Sequence, residues 1–220
     1  MTVLDDAAVV SDVVVASFTM PGAVARDALV GAVVAAGRDK SLPALCGVLI
    51  EWADGDRVRM VATDRYRLCV ADTEFRGVGD ARVLVARADV DALVKALPKV
   101  PARGKDTSMV TFTVADRVLV VRFVEGEWAG AVSWSREVRL VDAEFPKYRS
   151  LVPSEFGGVD AIAWNPAYMA DVDRIPHGKN QPVAWRFTGA GKPMVGTFPT
   201  HNCIDFLYML MPVRLTGSVV

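Results

Sequence analysis

The chain has 220 residues, 52% of them hydrophobic and 23% charged. That is enough apolar content for a substantial core in one or two domains, and it excludes a disordered or fibrous chain. A net charge of −1 excludes binding to nucleic acid through overall basicity, so any such contact needs a local basic face. Cys46, Cys69 and Cys203 form no C-x-x-C pair, which argues against a disulfide framework or zinc site and for a reducing cytoplasm. No apolar run nears the roughly 18 residues of a membrane span.

Residues 1–12 read as an acidic lead-in, followed by a strand at Val13–Phe18. Pro21 opens a helix whose apolar face is Ala25, Ala28, Leu29, Ala32, Val33 and Ala36, with Gly37 as its stop. A strand at Gly47–Trp52, an Asp54-Gly55 turn and the alternation through Val58, Met60 and Ala62 predict a hairpin. Leu68–Ala71 supplies a third strand.

The same order then recurs. Arg82–Val85 predicts a strand, and Val90, Leu93, Val94 and Leu97 mark a helix that Pro98 ends. Met109–Val114, Val118–Phe123 and Ala129–Trp134 predict three strands. A connector with prolines and aromatics, Glu144–Pro153, follows. A third cycle begins with a strand at Val159–Trp164. Asn165-Pro166 then starts a helix with Tyr168, Val172 and Ile175 on its face. Strands at Val183–Phe187, Pro193–Phe198 and Ile204–Met211 close it. Repetition of strand, helix and three strands predicts an α+β repeat architecture.

Four segments carry a resemblance: Leu42–Glu51, Ala62-Thr63-Asp64-Arg65-Tyr66-Arg67-Leu68, Glu144–Tyr148 with Leu151-Val152-Pro153, and Tyr208–Leu215. In that order and spacing they are similar to the beta sliding clamp of bacterial DNA polymerase III, over roughly residues 18 to 215. The middle two match the family's "ATD-x-x-RL" and "FPDY…lP" patterns, and the last its "MPxRL". The resemblance implies a DNA-clamp fold in a shortened form, of the kind a bacterial virus or mobile element carries. It finds no counterpart of the family's first domain or of half the last. Residues 1–142 are expected to be one clamp-type domain of two repeats, and 143–220 a linker plus a shortened second domain.

It also implies a non-enzymatic processivity factor that needs no cofactor or metal. Such a factor tethers DNA polymerase and other proteins bearing clamp-motif peptides to double-stranded DNA, independently of sequence. A homo-oligomeric ring and a clamp loader would accompany it. The alternative is a clamp-like adaptor or competitor that binds the same peptides without encircling DNA.

The implied peptide groove is lined by Leu45, Thr63, Arg65, Tyr66, Arg67 and Leu68, by Pro146 and Leu151, and by Met209, Met211, Pro212, Val213 and Arg214. Leucine, methionine and proline suit an adaptable apolar pocket, and a rim arginine can fix a peptide's register. Arg26, Arg38, Lys40, Arg87, Lys95, Lys99 and Arg174 are the candidate DNA-facing cations, by the loose phosphate contact a clamp needs. His177 and His201 sit in turn-like settings outside any catalytic motif. Gly189-Ala190-Gly191-Lys192 lacks the spacing and the Ser/Thr of a phosphate loop and reads as a hairpin turn.

Overall fold

In a computed structural model, residues 16–53, 57–99, 107–126 and 132–213 are described. The expected Asp54-Gly55 turn, most of the Val13–Phe18 strand, and Arg214 lie outside them. The first repeat is β1 (Ser17–Pro21), α1 (Gly22–Val33), β2 (Gly47–Trp52), β3 (Arg57–Thr63) and β4 (Arg67–Glu74). After the short β5 (Arg76–Val78) comes the second: β6 (Ala81–Ala86), α2 (Arg87–Ala96), β7 (Met109–Ala115), β8 (Val118–Val124) and β9 (Trp134–Arg139). The third holds α3 (Pro166–Ala170), continued by a 3-10 turn at Asp171–Arg174, then β10 (Ala184–Arg186), β11 (Met194–Thr197) and β12 (Ile204–Leu210).

The first two repeats exchange their first strands. β1 lies in a five-stranded sheet ordered β5-β1-β7-β8-β9, and β6 closes a seven-stranded sheet ordered β10-β11-β12-β4-β3-β2-β6. Every pairing in both sheets is antiparallel. The third repeat therefore extends the first repeat's sheet through β12 on β4.

Three expectations are corrected. Val159–Trp164 forms no strand. A first strand in this fold pairs with the sheet of the alternate repeat, and the described residues hold no fourth repeat to receive it. Of the strand expected at Ala129–Trp134, residues 129–131 lie outside the described residues and 132–133 are not strand; the strand runs from Trp134 to Arg139, in register with β8 from Phe123↔Trp134 to Val118↔Arg139. The first helix stops at Val33, three residues before Ala36, and Gly37 N–H donates to Leu45 O at 2.7 Å.

α1 is buried on all sides rather than along one face. Ten of its twelve residues are buried, Asp27 among them. Small residues permit this. A Cβ on Gly31 would overlap the Phe206 ring of β12, so glycine here is what lets α1 lie against the third repeat. The Asp27 carboxyl is raised above its ordinary value by burial, against the pull of Arg26 at 3.4 Å and His201 at 3.8 Å.

Two apolar clusters lie on opposite faces of the large sheet. Cys69, Ala71, Tyr208 and Leu210 face the main core with α1 and α2. Leu68, Val70 and Met209 face a smaller cluster with Leu49, Val61, Leu84, Val195 and the connector's Phe145 and Tyr148. Strand alternation alone puts successive residues of β4 in different clusters. No described helix is long and apolar enough to cross a membrane.

Candidate functional site

The turn between β3 and β4 is held by its own side chains. Asp64 Oδ1 accepts the backbone N–H of Tyr66 and Arg67, each at 3.0 Å. Thr63 Oγ1 donates to Arg67 O at 2.7 Å and accepts from Arg65 N at 3.2 Å. These bonds hold Arg65 at φ 80°, a left-handed conformation that costs a side-chain-bearing residue about 1–2 kcal/mol. Strain of this size persists only where the surroundings fix it, and it concentrates at functional sites.

The C-terminal segment runs beside this turn. In the β12–β4 ladder Met209 stands opposite Leu68, and Leu210 opposite Arg67. Beyond the strand, Met211 N–H donates to Tyr66 O at 2.8 Å and Val213 N–H to Ala163 O at 2.7 Å. Two segments far apart in the chain thus form one seam, with Met211 and Val213 exposed on its surface.

The connector covers the apolar side of that seam. Phe145 and Tyr148 are buried, Pro146 is half-buried and Leu151 is exposed. Glu51 anchors it, accepting a bond from the Tyr148 hydroxyl and another from Arg149 Nη2 at 2.7 Å, with Arg82 3.5 Å away. Burial first, then the bond to Glu51, pushes the Tyr148 phenol above its ordinary value. A crevice of about 500 Å³ lies along this side, floored by Val70, Val152 and Leu207 and rimmed by Arg59, Asp72, Arg149 and Asp205.

Arg67 leaves by the other face. Its guanidinium pairs with Asp64 at 2.9 Å and with Asp171, and lies 4.5 Å from the centre of the Tyr168 ring. The Tyr66 and Tyr168 rings stack with centroids 6.2 Å apart. Burial opposes the charge on Asp171, but bonds from Arg174 and Arg67 outweigh it and hold the carboxyl below its ordinary value. Leu45, Arg65, Tyr66 and Arg67 line a cavity of about 410 Å³ together with Arg38, Asp39, Leu42, Tyr168, Asp171 and Arg174.

The structure therefore divides the expected site residues. Thr63, Leu68 and Met209 are buried in the seam, while Met211, Pro212 and Val213 run along its rim. Leu45, Arg65, Tyr66 and Arg67 border the neighbouring cavity. Sequence reasoning missed Phe145, Tyr148 and Glu51 on one side and Tyr168 and Asp171 on the other. Phe145 and Tyr148 stood within a motif already singled out. Asp171 had no signal, lying 104 positions from its partner Arg67.

Of the seven candidate DNA-facing cations, three have internal partners. Arg26 lies 3.4 Å from Asp27, Arg174 bonds Asp171 at 2.8 Å, and Arg87 donates to Val33 O at 3.3 Å and Ala36 O at 2.6 Å. Burial lowers the Arg87 guanidinium first, and neighbouring Arg38, Arg174 and Arg67 lower it further, so cations crowd the end of α1. Arg38, Lys40, Lys95 and Lys99 are exposed. His177 Nδ1 lies 2.6 Å from Ile175 O, and His201 faces Asp27, so each histidine has a place in the packing.

Residues 19–147 match the family model for the central domain of the DNA polymerase III beta subunit. A beta sliding clamp of Streptomyces coelicolor is 31% identical over 179 residues, covering 78% of this chain and 44% of that protein. The chain thus spans less than half the length of the curated relatives it matches. The fold superposes on the sliding clamp of Bacillus subtilis with a TM-score of 0.71 at 17% identity, covering 91% of this chain and 64% of that one. A Pseudomonas aeruginosa clamp bound to griselimycin gives 0.70 at 16% identity, covering 90% and 65%. With the central-domain match covering more than half of its residues, the chain belongs to the DNA polymerase III beta subunit family, the bacterial sliding clamps.

Proposed function

We propose that the chain is a clamp-type processivity factor, holding replication proteins to DNA through short peptides that bind along the seam between its first and third repeats. The observation that carries this reading is the β12–β4 ladder. It sets Leu68 opposite Met209 and carries the chain on to Met211 and Val213, which are exposed, as is Leu151 of the connector. Exposed methionine, valine and leucine on a fixed backbone are the anchors an extended apolar peptide needs. On this reading residues 1–142 act as one clamp-type domain of two repeats, and 143–220 as the connector and a shortened second domain.

The same proposal assigns loose phosphate contact to Arg38, Lys40, Lys95 and Lys99, which are exposed on or just beyond α1 and α2. A second reading, a clamp-like adaptor that never encircles DNA, is favoured by one feature. The third repeat brings a helix of five residues where α1 has twelve, and so adds little to a helical lining.

One experiment separates the two. The protein is incubated with nicked circular duplex DNA, with and without a clamp loader, and its native mass is measured by light scattering. The processivity reading expects a concentration-independent oligomer that stays on circular DNA and leaves when the circle is cut. A monomer that binds peptide and is never retained on the circle contradicts it and supports the adaptor.

A further inference from the structure

The turn that shapes the seam is not held by the first repeat alone. Its outer side rests on the third repeat's short helix, through contacts that do not belong to the apolar groove. Tyr168 stacks on Tyr66 at 6.2 Å between centroids and receives the Arg67 guanidinium on its ring at 4.5 Å. Asp171, one turn further on, pairs with Arg67 and with Arg174. The Tyr208 hydroxyl of β12 donates to Tyr168 O at 3.0 Å, fixing α3 to the sheet beneath. Asn165 caps α3 by accepting from Ala167 N at 2.9 Å.

We infer that Tyr168 and Asp171 are positioning residues for the peptide seam: they hold the Thr63–Arg67 turn in its left-handed form and, through it, the Met211–Val213 segment. The inference rests on the seam being where peptides bind. The route is short and continuous. Arg67 is the residue whose backbone N–H and guanidinium both bond Asp64, so a displaced Arg67 withdraws the carboxylate that closes the turn. Tyr66 O is the acceptor of Met211 N–H, so a displaced Tyr66 releases the exposed rim of the seam.

Val213 N–H is held by Ala163, two residues before the cap of α3, so the same helix brackets the segment from its far end. The contacts are charged, aromatic and only partly buried, and so have a small energy that a substitution can remove without opening a core. Arg67 faces away from Leu68 and Met209, on the side of the cavity that it lines with Tyr66, Tyr168 and Asp171.

The test compares Tyr168→Ala, Tyr168→Phe and Asp171→Asn with the parent chain by two readouts. One is hydrogen exchange at the Arg67 and Met211 amides. The other is affinity for a fluorescent polymerase-derived clamp-motif peptide. Tyr168→Ala and Asp171→Asn are expected to speed exchange at those amides by about tenfold while β7 and β8 amides keep their rates. Peptide affinity should fall by a similar factor. Tyr168→Phe keeps the ring and the backbone acceptor and should leave exchange and affinity at the parent values.

Unchanged exchange and affinity in Asp171→Asn and Tyr168→Ala would overturn the inference. So would faster exchange throughout β7 and β8 in both, which marks a general loss of stability. If the parent chain binds no peptide but the two amides still respond, the seam's function falls and the positioning role stands.

Discussion

The first and third repeats solve the same problem by different means. α1 has twelve residues, ten of them buried, and its placement follows from apolar packing on every side. α3 has five residues, none of them fully buried; Tyr168 and Met169 rest partly buried on the main core, and the helix is tied further by the bond from Tyr208, the Arg67 cation over Tyr168 and the charge pair with Asp171. Burial is non-directional and proportional to area, so a helix held that way resists local change. Directional contacts at a partly solvated surface are weaker and can be adjusted singly. The difference leaves α1 held almost wholly by buried area and α3 by a smaller apolar contact plus directional bonds.

The comparison breaks most sharply at Leu68, fully buried in the cluster beneath the connector. Leu68→Ala should cost about 2–5 kcal/mol of stability, because the sheet and connector close only part of the cavity it leaves. Urea titration would show this as a lower midpoint with an unchanged slope. A cost below about 0.5 kcal/mol would mean that the connector does not pack on the sheet as described.

A smaller effect is expected where the two repeats meet. Gly31→Ala introduces a methyl into the Phe206 ring and should destabilise by about 1–3 kcal/mol, although alanine is the better helix former. Near-neutral behaviour in thermal unfolding would show that α1 and β12 are not in close contact. Stabilisation by about 1 kcal/mol, the gain expected in an exposed helix, would say the same more strongly.

The smallest effect is a pH dependence at α3. The Asp171 carboxyl is held below its ordinary 3.8 in the folded chain, so its ion pairs stabilise the fold above that pH and are lost as pH falls through the lower folded value. The stability difference between the parent chain and Asp171→Asn should be constant from neutral pH down to about 4 and shrink towards zero below it. A difference that instead grows in acid would reverse the assigned direction.

Much of this fold was legible in the chain. The spacing of Val90, Leu93, Val94 and Leu97 fixed a helix, and the Asn165-Pro166 start of α3 stands where expected. What was not legible depended on partners. The exchange of β1 and β6 between sheets leaves no local mark, since a strand's sequence does not say which sheet receives it. Val159–Trp164 has a strand's pattern and lacks only a sheet edge to join.

At the site, the resemblance put Thr63, Leu68 and Met209 in one groove, while the register that sets Leu68 opposite Met209 came only with the structure. The alternation that sends Arg67 to one face and Leu68 to the other was also available, yet both fell into one groove. That separation became visible only with Tyr168 and Asp171 beside Arg67.

The central claim is that the seam built on Leu68 and Met209, with Met211 exposed along it, takes a partner peptide. The most direct measurement is calorimetric titration of a clamp-motif peptide into the parent chain and into Met211→Ser, which alters an exposed side chain and should leave the thermal midpoint unchanged. Saturable one-to-one binding by the parent, weakened about tenfold or more by Met211→Ser, is the predicted result. Equal affinity for both proteins, at equal stability, would contradict the account.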